Sequence, residues 1–243
     1  MNQQGNVLFV ILIAIVLFGA LSATVMRTEN YSGSLDNETV SIETYELLDY
    51  AVTIERAVAN LMLAHGCELS ELSFDHPDRS NYNTAGHYLN SNSPGDKSCH
   101  IFDEAGGGVP YKEPSAISVE EGTTEYGITS TLSIQGLGQD TDDVGNSGVE
   151  LIFITRVIES ACNRINQETG FSTSSPPVIL DSAAAFSPVL DETQSFPMPS
   201  GTEGMDLALE LGDAVAPTLA YQKTACYYNR VSGHHFYHVL LAR

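Results

Sequence analysis

Residues 7–26 (VLFVILIAIVLFGALSATVM) form a run of twenty without a single charge. As a helix they would extend about 30 Å, the thickness of a bilayer's hydrocarbon core. No other stretch constrains the chain as strongly, because a continuous apolar cylinder has to be removed from water by lipid or by other protein. Its small residues Gly19, Ala20, Ser22 and Ala23 would let a neighbouring helix come close. No Lys or Arg precedes the run, and it is longer than the usual signal-peptide core, so a cleaved secretory leader fits it poorly. A transmembrane anchor fits its length. Arg27 follows the run and on its own would weakly favour a cytoplasmic C-terminal side. Long acidic domains escape that rule, and the cysteines favour export, so the expected topology is N-terminus inside and domain outside.

The 243 residues leave about 200 beyond this segment, enough for one domain with a real core or two small ones. Ten Lys and Arg stand against 31 Asp and Glu, a formal net charge of −21. A nucleic-acid partner is not expected, since phosphate neutralisation needs a basic patch and little is present to build one. The same charge repels an anionic membrane surface and favours divalent cations or basic partners. The four cysteines, Cys67, Cys99, Cys162 and Cys226, include no CxxC pair and no His at zinc-knuckle spacing. They read as two disulfides formed in an oxidising compartment. Three connectivities are open; proximity along the chain favours Cys67–Cys99 with Cys162–Cys226.

The expected fold class is α+β: an N-terminal membrane-spanning helix over 1–27, a linker over 28–38, an amphipathic helix over 39–66, and a mostly antiparallel β-sheet domain with long loops over 67–243. The linker (TENYSGSLDN within it) is polar and contains Gly33. Two N-glycosylation sequons begin at Asn30 and Asn37. In the amphipathic helix the apolar stripe is expected to run through Ile42, Tyr45, Leu48 or Asp49, Val52, Ala59, Met62 and Leu63, with Ile54, Val58 and Leu61 filling it. Gly66 is placed to end it. Residues 67–97 are loop-rich, 99–102 a short strand, and 103–110 (DEAGGGVP) a turn. Strands are expected over 124–136 and 149–156, joined by an acidic hairpin loop over 138–148. A helix over 157–169 ends at Gly170. A Ser- and Pro-rich excursion follows over 171–204, and a terminal hairpin over 225–228 and 234–242 closes the chain.

Candidate chemistry is sparse. Asp140, Asp142, Asp143 and Gly145 lie in a tight acidic loop of the kind that supplies oxygen ligands to calcium. Val144 and Leu151 stand at EF-hand ligand positions, so the loop is not an EF-hand, and no cofactor other than that calcium is expected. His234 and His238 would share a strand face about 13 Å apart with His235 on the other, which suits packing better than metal. No GxSxG, HExxH, Walker A or GxGxxG motif occurs, and no enzymatic activity is expected.

The start MNQQG followed by NVLFVILIAIVLFGALSATV resembles the N-terminus of type IV pilins and pseudopilins. The resemblance covers about the first 30 residues. It implies a short polar leader cut between Gly5 and Asn6, and an assembly helix that includes Val7, Val10, Leu12, Leu17 and Gly19. The implied partners are copies of itself or related pilin-like subunits and the inner membrane. The implied location is membrane-anchored, with the domain in the periplasm or outside the cell, including a surface filament. Three departures mark the chain. The leader has no basic residue, Asn6 stands where Phe or Met is usual, and Val10 stands where most members place a glutamate that pairs with a neighbour's amino terminus. The last suggests a minor or divergent subunit. A second expectation from a different class is a permanently membrane-anchored, non-enzymatic accessory subunit of an envelope or virion membrane complex. A third is an exported cation- or glycan-binding module using the 171–204 excursion.

Overall fold

The computed structural model describes residues 11, 13–15, 17, 32–79, 82, 88–118, 126–129, 132–138, 150–171, 175–179, 209–211, 217–230 and 233–242. The chain divides into two compact units, Met1–Ile42 and Glu43–Arg243. In the first, residues 11, 13–15 and 17 are helical. Helix α1, Ser32–Ala64, begins in the first unit and continues into the second. Residues 32–38 of the expected linker are therefore helical, which corrects that reading. Gly33 costs about 1 kcal/mol relative to Ala, and a 33-residue helix absorbs this because each added residue also adds a hydrogen bond.

Within the second unit the buried positions of α1 are Thr44, Leu47, Tyr50, Ala51, Ile54, Ala57, Val58 and Leu61. They recur at spacings of three and four and form one face. Of the expected stripe, Ile54, Val58 and Leu61 lie on it. Ile42, Tyr45, Asp49, Ala59 and Leu63 are exposed, while Leu48, Val52 and Met62 are half-buried. The helix carries apolar residues on more than one face, and only the face that meets the sheet is covered. It ends where expected. Gly66 takes φ +72°, a left-handed value that a Cβ would disfavour, and the chain turns so that Cys67 N–H donates to the Leu61 carbonyl at 3.1 Å.

The other elements are β1 (Gly127–Thr129), β2 (Leu132–Ile134), β3 (Leu151–Val157), α2 (Glu159–Glu168), β4 (Val178–Ile179), β5 (Leu209–Leu211), β6 (Thr224–Asn229) and β7 (Gly233–Leu241). The fold is α+β. The main sheet has the order β1-β3-β7-β6-β4; its first four strands are antiparallel neighbours, and β4 runs parallel to β6. β2 and β5 form a separate parallel pair. The stretch expected as one strand over 124–136 is thus two strands in different sheets. Of these two it is β1 that pairs with β3, on the side away from β7, so the pairing expected between 124–136 and 149–156 skips β2. Residues 139–149, which hold all of that loop but Gly138, lie outside the described residues.

Burial on both sides of the main sheet fixes the register, because a one-residue slip would turn every side chain over. One face carries Phe153, Phe236, Cys226 and His238. Tyr50 of α1 packs edge-on to Phe153 at 6.1 Å, and Phe153 meets Phe236 at 6.0 Å. On the same face α2 is joined covalently to β6 by Cys162–Cys226. Asn166 of α2 donates Nδ2–H to the Cys226 carbonyl (2.9 Å) and accepts the Cys226 N–H on Oδ1 (2.8 Å). β4 reaches only Tyr228 and Asn229, so this amide serves the backbone of β6 where a neighbouring strand is missing. The opposite face (Ile152, Ile154, Ala225, Tyr227, Tyr237 and Val239) packs with Ile134 and Leu211 of the small sheet, Phe171 and Leu219.

Residues 67–118 hold no full strand among the described residues. The expected strand over 99–102 is a series of turns with a single bridge from Ser73 to His100. Its hydrogen bonds are used locally: Gly107 N–H donates to the His100 carbonyl (2.8 Å) and Val109 N–H to the Ile101 carbonyl (3.1 Å). A Cβ at Gly106 would stand 2.2 Å from the His100 carbonyl oxygen, so only glycine allows the chain to fold back this closely. The disulfide Cys67–Cys99 ties this region to the end of α1. Its centre is buried Arg79, whose guanidinium lies 3.8 Å from the Tyr88 ring centre and 5.5 Å from that of Tyr111. Both terminal nitrogens donate to the Tyr126 carbonyl (3.4 and 3.3 Å), so rings and a backbone dipole help to solvate the cation.

Candidate functional site

The residues that sequence marks for assembly lie mainly outside the described part. Gly5, Asn6, Val7, Val10, Leu12 and Gly19 fall there; Leu17 does not. Leu17 is helical and 63% exposed, and Ile11, Ile13 and Ile15 are 52%, 43% and 65% exposed. Fully burying a side chain of this size is worth about 1.5–3 kcal/mol, so four of them together represent several kcal/mol of unsatisfied burial. Among the described residues no helix is long and apolar enough to cross a membrane.

The seat of α1 on the sheet is the best-defined polar arrangement in the second unit. Glu55, one turn beyond the packed Tyr50, faces the sheet row formed by Phe153, His238 and Thr224, which stand side by side on β3, β7 and β6. His238 Nε2 lies 2.9 Å from Glu55 Oε2, and His238 Nδ1 lies 2.6 Å from Thr224 Oγ1. Lys223 Nζ donates to the other carboxylate oxygen of Glu55. A carboxylate only accepts, so Nε2 carries the proton and Nδ1 of the neutral ring accepts the Thr224 O–H. Burial, with Lys223 adding to it, holds His238 below its ordinary 6.5, although Glu55 pulls the other way. Burial alone would raise Glu55, but its bonds from Lys223 and His238 outweigh that and hold it below 4.5. In acyl-transfer relays the hydroxyl sits on Nε2 and the carboxylate on Nδ1. Here the order is reversed and Lys223 grips the carboxylate, so the four groups act as a tie between helix and sheet.

Further contacts extend the seat. Ile117 N–H donates to Glu43 Oε2 (3.1 Å), Lys112 N–H to the Tyr50 hydroxyl (3.2 Å), and Arg164 of α2 to the Tyr45 hydroxyl (3.1 Å). Both disulfides are formed, in the pairing that chain proximity favours. Asp140, Asp142 and Asp143 lie outside the described residues. Among the described residues no group of three His, Cys, Asp or Glu is placed to hold a metal ion. His235 stacks on Tyr227 at 5.4 Å and His234 packs against Tyr228 at 4.8 Å, so the three strand histidines have separate surroundings.

Sequence reasoning missed Glu55, Lys223 and Asn166 as structural groups. The only signal for the tie was His238 itself, on the face of an apolar strand that a helix would cover. Compared with known protein families, curated proteins and solved structures, the chain matches none of them.

Proposed function

We propose that this chain is a structural subunit of a pilin-like filament or pseudopilus, assembling through its apolar N-terminal segment. The observation that carries the reading is the exposure of Ile11, Ile13, Ile15 and Leu17 on helical residues, within the uncharged run 7–26. Side chains of that kind call for lipid before assembly and for copies of the same helix afterwards. The second unit supports the same reading: a long helix seated on an antiparallel sheet, with two disulfides that hold the β-rich unit together. Assembly would draw the apolar segment out of the inner membrane and pack it against related subunits, leaving the acidic units outermost. Val10 in place of the usual glutamate removes one registry contact and suits a minor subunit.

That same substitution favours a second reading, a subunit that stays anchored in an envelope or virion membrane complex. Intact mass and N-terminal sequencing of protein from its native membrane or filament fraction separate the two. A mature start at Asn6 is expected for the filament subunit; an uncut Met1 start rules out the usual assembly route and leaves the anchored subunit.

A further inference from the structure

An open sheet edge offers its N–H and carbonyl groups to a strand from another molecule, and β6 has the sequence to attract one. Its residues Thr224–Asn229 (TACYYN) carry no charge, no Pro and no Gly, and include Thr and two Tyr. Uncharged six-residue segments of that kind pair readily with copies of themselves. β4 covers β6 only at Tyr228 and Asn229, where the Tyr228 N–H donates to the Pro177 carbonyl at 2.8 Å. Two residues earlier, Cys226 presents its backbone groups on the same side, and there β6 meets a side chain in place of a strand.

That side chain is Asn166 of α2. Its Oδ1 accepts the Cys226 N–H at 2.8 Å and its Nδ2–H donates to the Cys226 carbonyl at 2.9 Å. These are the two bonds that a residue of a neighbouring antiparallel strand would make. Cys162 lies one turn earlier on the same face of α2 and is bonded to the same Cys226, so the disulfide holds the amide in position. The far edge of the antiparallel strands is finished in the same manner. Beside β1, the Arg79 guanidinium donates to the Tyr126 carbonyl, and the Ile128 N–H donates to the Tyr88 hydroxyl at 3.4 Å. Arg79 lies 3.8 Å over the Tyr88 ring, so the two line that edge as one unit. Tyr126 and Ile128 are two residues apart, the spacing at which an edge strand turns its backbone groups outward.

We propose that Asn166 is an edge guard, which keeps β6 of one copy from pairing with β6 of a second copy in a two-fold, antiparallel arrangement. The Arg79–Tyr88 unit does the same for β1. The proposal does not rest on filament assembly, since the guard acts within the folded unit of a single copy. The test compares full-length chains in one detergent, by analytical ultracentrifugation over a concentration series and by amide exchange at Cys226. Wild type sets the baseline for any association through the N-terminal segment. Asn166→Ala is expected to associate at least about tenfold more tightly than wild type. Its Cys226 amide is expected to exchange fast when dilute and to regain protection as the chain associates, because the added strand supplies the missing bond. Asn166→Ser, too short to reach both backbone groups, takes the place of an alanine chain that does not fold. Glu55→Ala weakens the fold without opening the edge and is expected to stay at the baseline. Association of Asn166→Ala no tighter than wild type overturns the proposal. So does equal association by Glu55→Ala, which would make lost stability the cause, or an associate whose Cys226 amide stays unprotected.

Discussion

Replacing Glu55 by Ala tests whether the tie between α1 and the sheet contributes to stability through a buried, charge-assisted bond. The Lys223 ammonium is half exposed, so its pairing with Glu55 is worth at most about 1 kcal/mol. The His238 bond is different: the ring is 4% exposed, and loss of the carboxylate strands its Nε2–H, which costs about 1–3 kcal/mol. The expected loss at pH 7 is therefore about 2–3 kcal/mol. In a unit of this size that lowers Tm by about 4–12 °C. The pH dependence sharpens the test. Both groups have depressed folded values, so each contributes stability that is complete above its unfolded value and lost as pH falls through the folded one. Wild type should weaken first as pH falls from 6.5 through the lower folded value of His238, then again as it falls from 4.5 through that of Glu55. Glu55→Ala deepens the first step, because Glu55 holds His238 up, but lacks the second, so the gap between the two proteins should narrow only as pH falls from 4.5 to 3. Urea unfolding at pH 8, 6, 4 and 3, read as the shift in midpoint at constant m, measures it. A loss under 0.5 kcal/mol at pH 7, roughly the level of an ordinary surface substitution, or a gap as wide at pH 3 as at pH 4, refutes the reasoning.

Three other perturbations follow from the same geometry. Asn166→Ala strands the Cys226 N–H and carbonyl on the open edge of β6 and should cost about 2–4 kcal/mol, with Cys226 amide exchange accelerated by hydrogen-exchange NMR. Gly106→Ala forces a Cβ against the His100 carbonyl; a loss of stability by calorimetry is expected, with the Ser73–His100 bridge broken, and an unchanged Tm would contradict the close approach. Reducing both disulfides under denaturing-gel control should lower stability by about 4 kcal/mol for each, because the closed loops span 32 and 64 residues.

Much of the second unit could be read from local pattern. The apolar run of β3, the hairpin of β6 and β7, α2 ending at Gly170, and the stop of α1 at Gly66 all depend on neighbours in sequence. Pairing of the nearer cysteines follows from the same locality. The stripe of α1 was only half legible, since Ile42, Tyr45 and Leu63 are as apolar as the residues that are covered, and periodicity alone does not say which face meets a sheet. Residues 99–102 looked like a strand because strand and tight turn share short apolar runs; what decides between them is the return of Gly106 and Gly107 onto that backbone. The tie joins Glu55 to His238 across 183 residues, and no local signal spans that distance.

The way α1 is fastened also has a mechanical consequence. Within the second unit it is held along its length by Glu43, Tyr50 and Glu55, and at its far end the chain passes at once into a covalent staple at Cys67. Tension drawn along the helix axis would load these fastenings together, in shear, and would reach the disulfide before the turns beyond it. Force across the axis would instead open them one after another. A polypeptide fastened in this way resists being pulled lengthwise far better than being peeled.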